Sequence, residues 1–192
     1  MQPREPGLSM SAYQIGMTVA LVSITAFFAA LVIAYYVTFR GQSNWQRIEV
    51  PKLLWLSTGI LLLSSVTFET ARYALRRARF AQYFTAMRMT LALGIAFLIS
   101  QLLSWGILRS EGVYVRENPH ASMFYSFTGA HGLHLLGGIC GLAYVLHRGR
   151  GFELWSEHDL RRYRAISGVI ALYWHFMGGL WLVLFTLLCV WT

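Results

Sequence analysis

Five stretches of this chain are each long and apolar enough to cross a bilayer, and no other feature limits its fold as strongly. A bilayer core needs about 20 apolar residues of helix. The stretches run over residues 14–38, 52–71, 89–108, 122–146 and 165–191. Backbone in hydrocarbon must satisfy its own hydrogen bonds, so each is predicted to be an α-helix. The expected fold class is all-α: an integral membrane bundle of five transmembrane helices over 14–192, after a short tail at 1–13. With 56% of residues hydrophobic and 12% charged, no material remains for a soluble domain. The first twelve residues show no basic-then-apolar pattern with a small-residue cleavage site. The first apolar run is too long for the core of a signal sequence and reads as a retained helix.

The basic residues set an orientation. Arg4, the five arginines from Arg72 to Arg88 and the five from Arg148 to Arg164 fall on one side, eleven in all. The other side carries five: Arg40, Arg47, Lys52, Arg109 and Arg116. An excess of Lys and Arg marks the cytoplasmic side, which places the N-terminus in the cytoplasm and the C-terminus outside. The net charge of +8 is then a property of loops that lie against anionic phospholipid headgroups. Nucleic acid is not an expected partner, because the arginines flank spans and no folded domain is left to bind it.

The charge-bearing and small residues inside the spans are few. His131 and His134 are three apart on the fourth span, and Gly137, Gly138 and Gly141 continue along it. His175, Gly178 and Gly179 make a similar stripe on the fifth. Histidine in hydrocarbon faces protein and finds a partner, while glycine admits a second helix at close range. One reading is a polar packing seam between the fourth and fifth helices. The other is a metal or haem site, since imidazole suits iron, copper and zinc. The seam is favoured, because two histidines so close cannot bracket one haem and no Cys-x-x-Cys-His attachment sequence occurs. His120 and His158 fall in predicted loops and are expected to be solvated. Gly149, also in a predicted loop, is expected to accept a side chain where Gly138 is not.

Glu69 is the one carboxylate within an apolar span, a candidate intramembrane proton carrier. Its predicted depth is shallow, and Arg72 or Arg76 one to two turns away offers it an ordinary ion pair. Cys140 and Cys189 both lie in apolar runs at different depths, so they read as two buried thiols without a disulfide. Most of the seven tryptophans sit near span ends, as in an interfacial aromatic belt; Trp174 and Trp181 are deeper and are expected at helix contacts. No Ser-His-Asp set, phosphate loop or pair of catalytic carboxylates is present.

Several of these segments match one family. Thr128–Gly138, T-G-A-H-G-L-H-L-L-G-G, resembles the T-G-x-H-G-x-H segment of subunit III of the haem–copper terminal oxidases. Tyr173–Leu182 is similar to that family's last helix, with Y-W-H-F and W-L in place. Ser64-Ser65-Val66-Thr67 looks like its S-S/G-V-T helix, and Gly16-Met17 through Ala34-Tyr35 like its G-M…A-Y helix. The order agrees over about residues 14–191. The family has a long form of seven helices and a short bacterial form of five, and this chain resembles the short form.

The resemblance implies a subunit without catalytic or redox centre, in the bacterial inner membrane, within a cytochrome c oxidase of the aerobic respiratory chain. Haem and copper would lie in partner subunits, above all subunit I. The subunit would stabilise subunit I and support proton uptake or oxygen delivery. The long form's membrane carboxylate, in a Ser-Glu pair, has no counterpart at Ser23-Ile24, and a second falls at Ser104. Two related alternatives are a quinol oxidase subunit and an accessory subunit of a nitric oxide reductase. The alternative of another class is a small membrane haem protein using His131, His134 and His175.

Overall fold

A computed structural model describes residues 10–41, 51–113, 119–149 and 156–191. Among these residues there are five α-helices and no strand: α1 Met10–Gly41, α2 Leu53–Arg76, α3 Phe80–Ser110, α4 Pro119–Arg148 and α5 Glu157–Trp191. Arg4, Arg47, Arg116, Arg150, Trp45 and Trp155 lie outside the described residues.

Each helix outruns the apolar stretch that predicts it. α2 continues through Arg72 and Arg76, and α3 begins at Phe80, well before the stretch starting at 89. Apolar run length marks how much helix can sit in hydrocarbon, whereas the helix itself continues into water on good helix formers such as Arg and Ala. The predicted tail is shortened in the same way, because α1 begins at Met10.

The turn between α2 and α3 is tight. Ala78 takes φ 55°, the Arg79 N–H donates to the Ala74 carbonyl at 2.9 Å and the Ala78 N–H to Leu75 at 3.2 Å. This pattern closes a helix with a left-handed residue just past its end. α3 ends in the same way, with Gly112 at φ 79° and Val113 bonded back to Leu108 at 3.0 Å. α5 opens on a reciprocal cap: Asp159 N–H donates to Ser156 Oγ at 3.2 Å, while Ser156 N–H reaches Asp159 Oδ2 at 3.1 Å.

α2 and α3 form the closest helix pair; α5 packs on both α2 and α4, α3 on α4, and α1 lies across α4 and α5. The core is aromatic, with Trp174, Trp181, Tyr35, Tyr83, Phe97 and Phe127 fully buried. α1 contributes Ile24, Phe28 and Tyr35 to it, spaced at one and then two turns, and turns most of its remaining surface outward. Cys140, expected to be buried, also faces outward on α4, and neither cysteine is in a disulfide.

Candidate functional site

The histidine motif lies on α4 where α1, α3 and α5 converge on it. His131 is fully buried, its ring centroid 5.0 Å from Trp181 of α5 and 5.7 Å from Phe97 of α3. Neither of its ring nitrogens has a hydrogen-bond partner among the described residues. His134 turns to α1 instead, 5.5 Å from Phe28, and its Nδ1–H donates to the Ala130 carbonyl at 2.7 Å. Three residues along a helix leave an angular offset of about 60°. That offset sends the two imidazoles to different neighbours.

Gly137, Gly138 and Gly141 of α4 face α5. A Cβ at Gly138 would lie 3.1 Å from Tyr173 and 3.2 Å from Trp174; Gly141 lies against Ile170 and Gly137 against the Tyr173 hydroxyl. That hydroxyl donates to the His134 carbonyl at 2.7 Å. Gly178 faces Ser65 of α2 rather than α4. A Cβ at Gly179 would meet nothing within 4 Å among the described residues.

His175 is not in a seam with His131 and His134. Its Nε2–H donates across to Glu69 Oε1 on α2 at 2.7 Å, and Arg72 Nη1 holds the same oxygen at 2.6 Å. The Glu69–Arg72 pair is the expected one. The third member was invisible locally, because it requires knowing that α2 and α5 are neighbours. The cluster is also deeper than the end of the apolar stretch suggests. Glu69 lies two residues inside the end of the second stretch, but its partner His175 lies ten residues, about 15 Å of helix, inside the start of the fifth. A charged side chain near the middle of a bilayer costs about 3 kcal/mol on insertion scales.

His120 is corrected too. α4 starts at Pro119, which places His120 inside the bundle, buried, with its ring 5.9 Å from Tyr35. His158 is exposed in the first turn of α5, as expected. No group of three or more His, Cys, Asp or Glu with metal-holding geometry occurs among the described residues.

The sequence model of one family, cytochrome c oxidase subunit III, matches residues 7–192. The chain belongs to that family. It is 30% identical over 179 residues to a probable cytochrome c oxidase subunit 3 of Mycobacterium tuberculosis, covering 91% of this chain and 85% of the other. A cytochrome c oxidase subunit 3 of Synechocystis sp. is 32% identical over 90% of this chain and 72% of its own. A cytochrome bo(3) ubiquinol oxidase subunit 3 of Pseudomonas aeruginosa is 26% identical, over 86% and 76%. As a subunit III of the haem–copper terminal oxidases, the chain is a multi-pass membrane protein and part of an oxidase complex.

In this member of the subunit III family the histidine motif is also a contact surface for α3. Thr128 Oγ1 donates to the Phe124 carbonyl at 2.8 Å and accepts from Trp105 Nε1 at 3.0 Å. A Cβ at Gly129 would lie 3.4 Å from the Trp105 ring. Trp105, expected in an interfacial belt, therefore turns inward.

A second set of polar contacts went unread in the sequence. Trp174 and Trp181 of α5 donate to Ser64 Oγ at 3.1 Å and Thr58 Oγ1 at 3.0 Å on α2. Beside them on α2, Ser57 pairs with Ser100 at 2.7 Å and Thr67 with Thr90 at 2.8 Å on α3. The available signal was the recurrence of hydroxyls at 57, 58, 64 and 67, opposite two deep indoles. Gly94 of α3 was also missed: a Cβ there would come within 2.7 Å of Trp174.

Proposed function

We propose that this chain is the non-catalytic subunit III of a proton-pumping terminal oxidase in a bacterial inner membrane. It packs beside subunit I, which carries haem and copper, with its N-terminus in the cytoplasm and its C-terminus outside. Its role is to stabilise subunit I and to support proton uptake or oxygen delivery.

The observation that carries this reading is the use made of the histidines. His131, His134 and His175 each meet a different helix, so they do not converge on one point as the ligands of a haem or metal would. That favours a packing subunit whose cofactors lie in its neighbours, over a small membrane haem protein. The eleven-to-five distribution of Arg and Lys supports the orientation. A quinol oxidase is the second reading, favoured by the likeness to the Pseudomonas protein of that name.

Purification of the native complex through a tag on this chain, followed by mass spectrometry, tests the assignment. A haem–copper subunit is expected to co-purify, and the complex should oxidise cytochrome c. Oxidation of quinol alone would favour the second reading. A Soret band stoichiometric with this chain in the absence of other subunits would overturn both.

A further inference from the structure

The ionic cluster of Glu69, Arg72 and His175 opens to the outside of the bundle. Side-chain exposure is 50% for Glu69, 34% for His175 and 30% for Arg72. Ionisable groups at such depth face protein or a polar cavity, not lipid. Among the described residues nothing covers the cluster on this side.

The surface around the cluster is patterned to receive a helix. On α2 the exposed residues Trp55, Gly59, Leu62, Val66, Glu69 and Tyr73 recur at alternating spacings of four and three, and so form one stripe. On α5 Leu172, His175, Gly179 and Val183 form another. The two helices run antiparallel in contact, with Glu69 at His175 and Trp55 at Phe185. Their stripes therefore adjoin. Gly59 and Gly179, one on each, have open space where a Cβ would project, so a third backbone could approach closely at both.

We propose that this α2–α5 face docks a transmembrane helix of a neighbouring oxidase subunit. That helix presents a neutral hydrogen-bonding side chain, a hydroxyl or an amide, to the Glu69–Arg72–His175 cluster. A neutral partner fits because Glu69 and Arg72 already offset each other's charge, so a further isolated charge would be uncompensated. The proposal rests on the oxidase assignment above.

A photo-crosslinking benzoylphenylalanine is placed at Trp55 or Tyr73, the two ends of the α2 stripe, and at exposed Tyr144 of α4 as the comparison site. All three are aromatic, so the substitutions are conservative. Irradiation of the intact complex in its native membrane is expected to join Trp55 and Tyr73 to another oxidase subunit, at several-fold higher yield than Tyr144. Adducts only with lipid, adducts between two copies of this chain, or equal yield from Tyr144 would overturn the docking face. Absence of any haem–copper subunit from the tagged wild-type preparation would instead overturn the oxidase assignment, so the two failures are distinguishable. In parallel, Glu69→Leu is expected to lower recovery of the neighbouring subunit several-fold, and Glu69→Gln by less, because it keeps the hydrogen bonds while leaving the Arg72 charge unpaired. Undiminished recovery with Glu69→Leu would also sink the proposal.

Discussion

Ala78 and Gly112 occupy the same left-handed position in two helix ends closed by the same hydrogen bonds. Only Gly112 does so without steric cost, since an L-residue in this region loses about 1–2 kcal/mol. Ala78→Gly is therefore expected to stabilise the subunit by about 1 kcal/mol, measured as its resistance to unfolding in detergent. No gain would show that the backbone at this turn relaxes in the membrane. Glycines elsewhere differ by what lies over them. Gly138→Leu would drive into Tyr173 and Trp174 and is expected to lose about 1–3 kcal/mol or more. Gly149, read from sequence as a tolerant loop position, is buried under Phe84 and Tyr163, with which a Cβ would overlap. Gly149→Leu is thus expected to lower recovery of the folded subunit as well. Gly179→Leu should leave the isolated subunit folded, because nothing among the described residues occupies that space. A retained Gly149→Leu subunit, or an unfolded Gly179→Leu one, would contradict this ordering.

At the scale of helices, the number and class of elements were legible because run length and hydropathy are local properties. Contacts between helices were legible only where glycine or an indole advertised them, as at Gly138 and Trp174. Partners such as Glu69 and His175 were not, since nothing local to residue 69 says that α5 rather than α4 lies beside it. The bond from Trp174 Nε1 to Ser64 Oγ joins residues far apart in the chain. Trp174→Phe keeps most of the ring and removes that bond. The expected loss is about 0.6 kcal/mol and at most roughly 1.7. Ser64→Ala should lose a similar amount, and the double variant less than both together; strict additivity would show that the bond contributes nothing. At the start of α5 the Ser156 hydroxyl, together with its N–H, donates to Asp159 Oδ2 and holds that carboxyl below its ordinary value of 3.8. A depressed carboxyl stabilises fully above its unfolded pKa and loses that contribution as pH falls through the lower folded value. Protection of the first-turn amides of α5, taken as exchange relative to the intrinsic rate at each pH, should therefore fall below about pH 4. Protection there that does not change between neutral and acid pH would count against the cap.

At the scale of the whole molecule, the arginines gather at one end, where α2 and α4 finish and α3 and α5 begin. Sequence distribution alone suffices to read this asymmetry, because five antiparallel spans sort alternate connections to opposite ends. A tag after Thr192 is expected to be accessible from outside, and the Arg77–Arg79 turn from the cytoplasm. Labelling that finds both on one side would refute the orientation. What the sequence could not reveal at this scale is which outer surface is finished and which awaits a neighbour. An apolar exterior looks the same in either case until a charge, such as Glu69, appears on it.

The hydroxyls that receive the indoles of α5 also bear on how the chain is made. Ser64 donates its own proton to the Leu61 carbonyl at 2.6 Å, and Thr58 to Leu54 at 2.8 Å. Each hydroxyl is thus satisfied as a donor within α2 and offers α5 only a spare lone pair. During synthesis α2 leaves the ribosome long before Trp174 and Trp181 exist, and chains begin folding from the N-terminal end. In the interval no hydroxyl proton on α2 is stranded in lipid. The α2–α3 hairpin can therefore enter the membrane and wait, and the last helix can be fastened to it afterwards without any bond having to break.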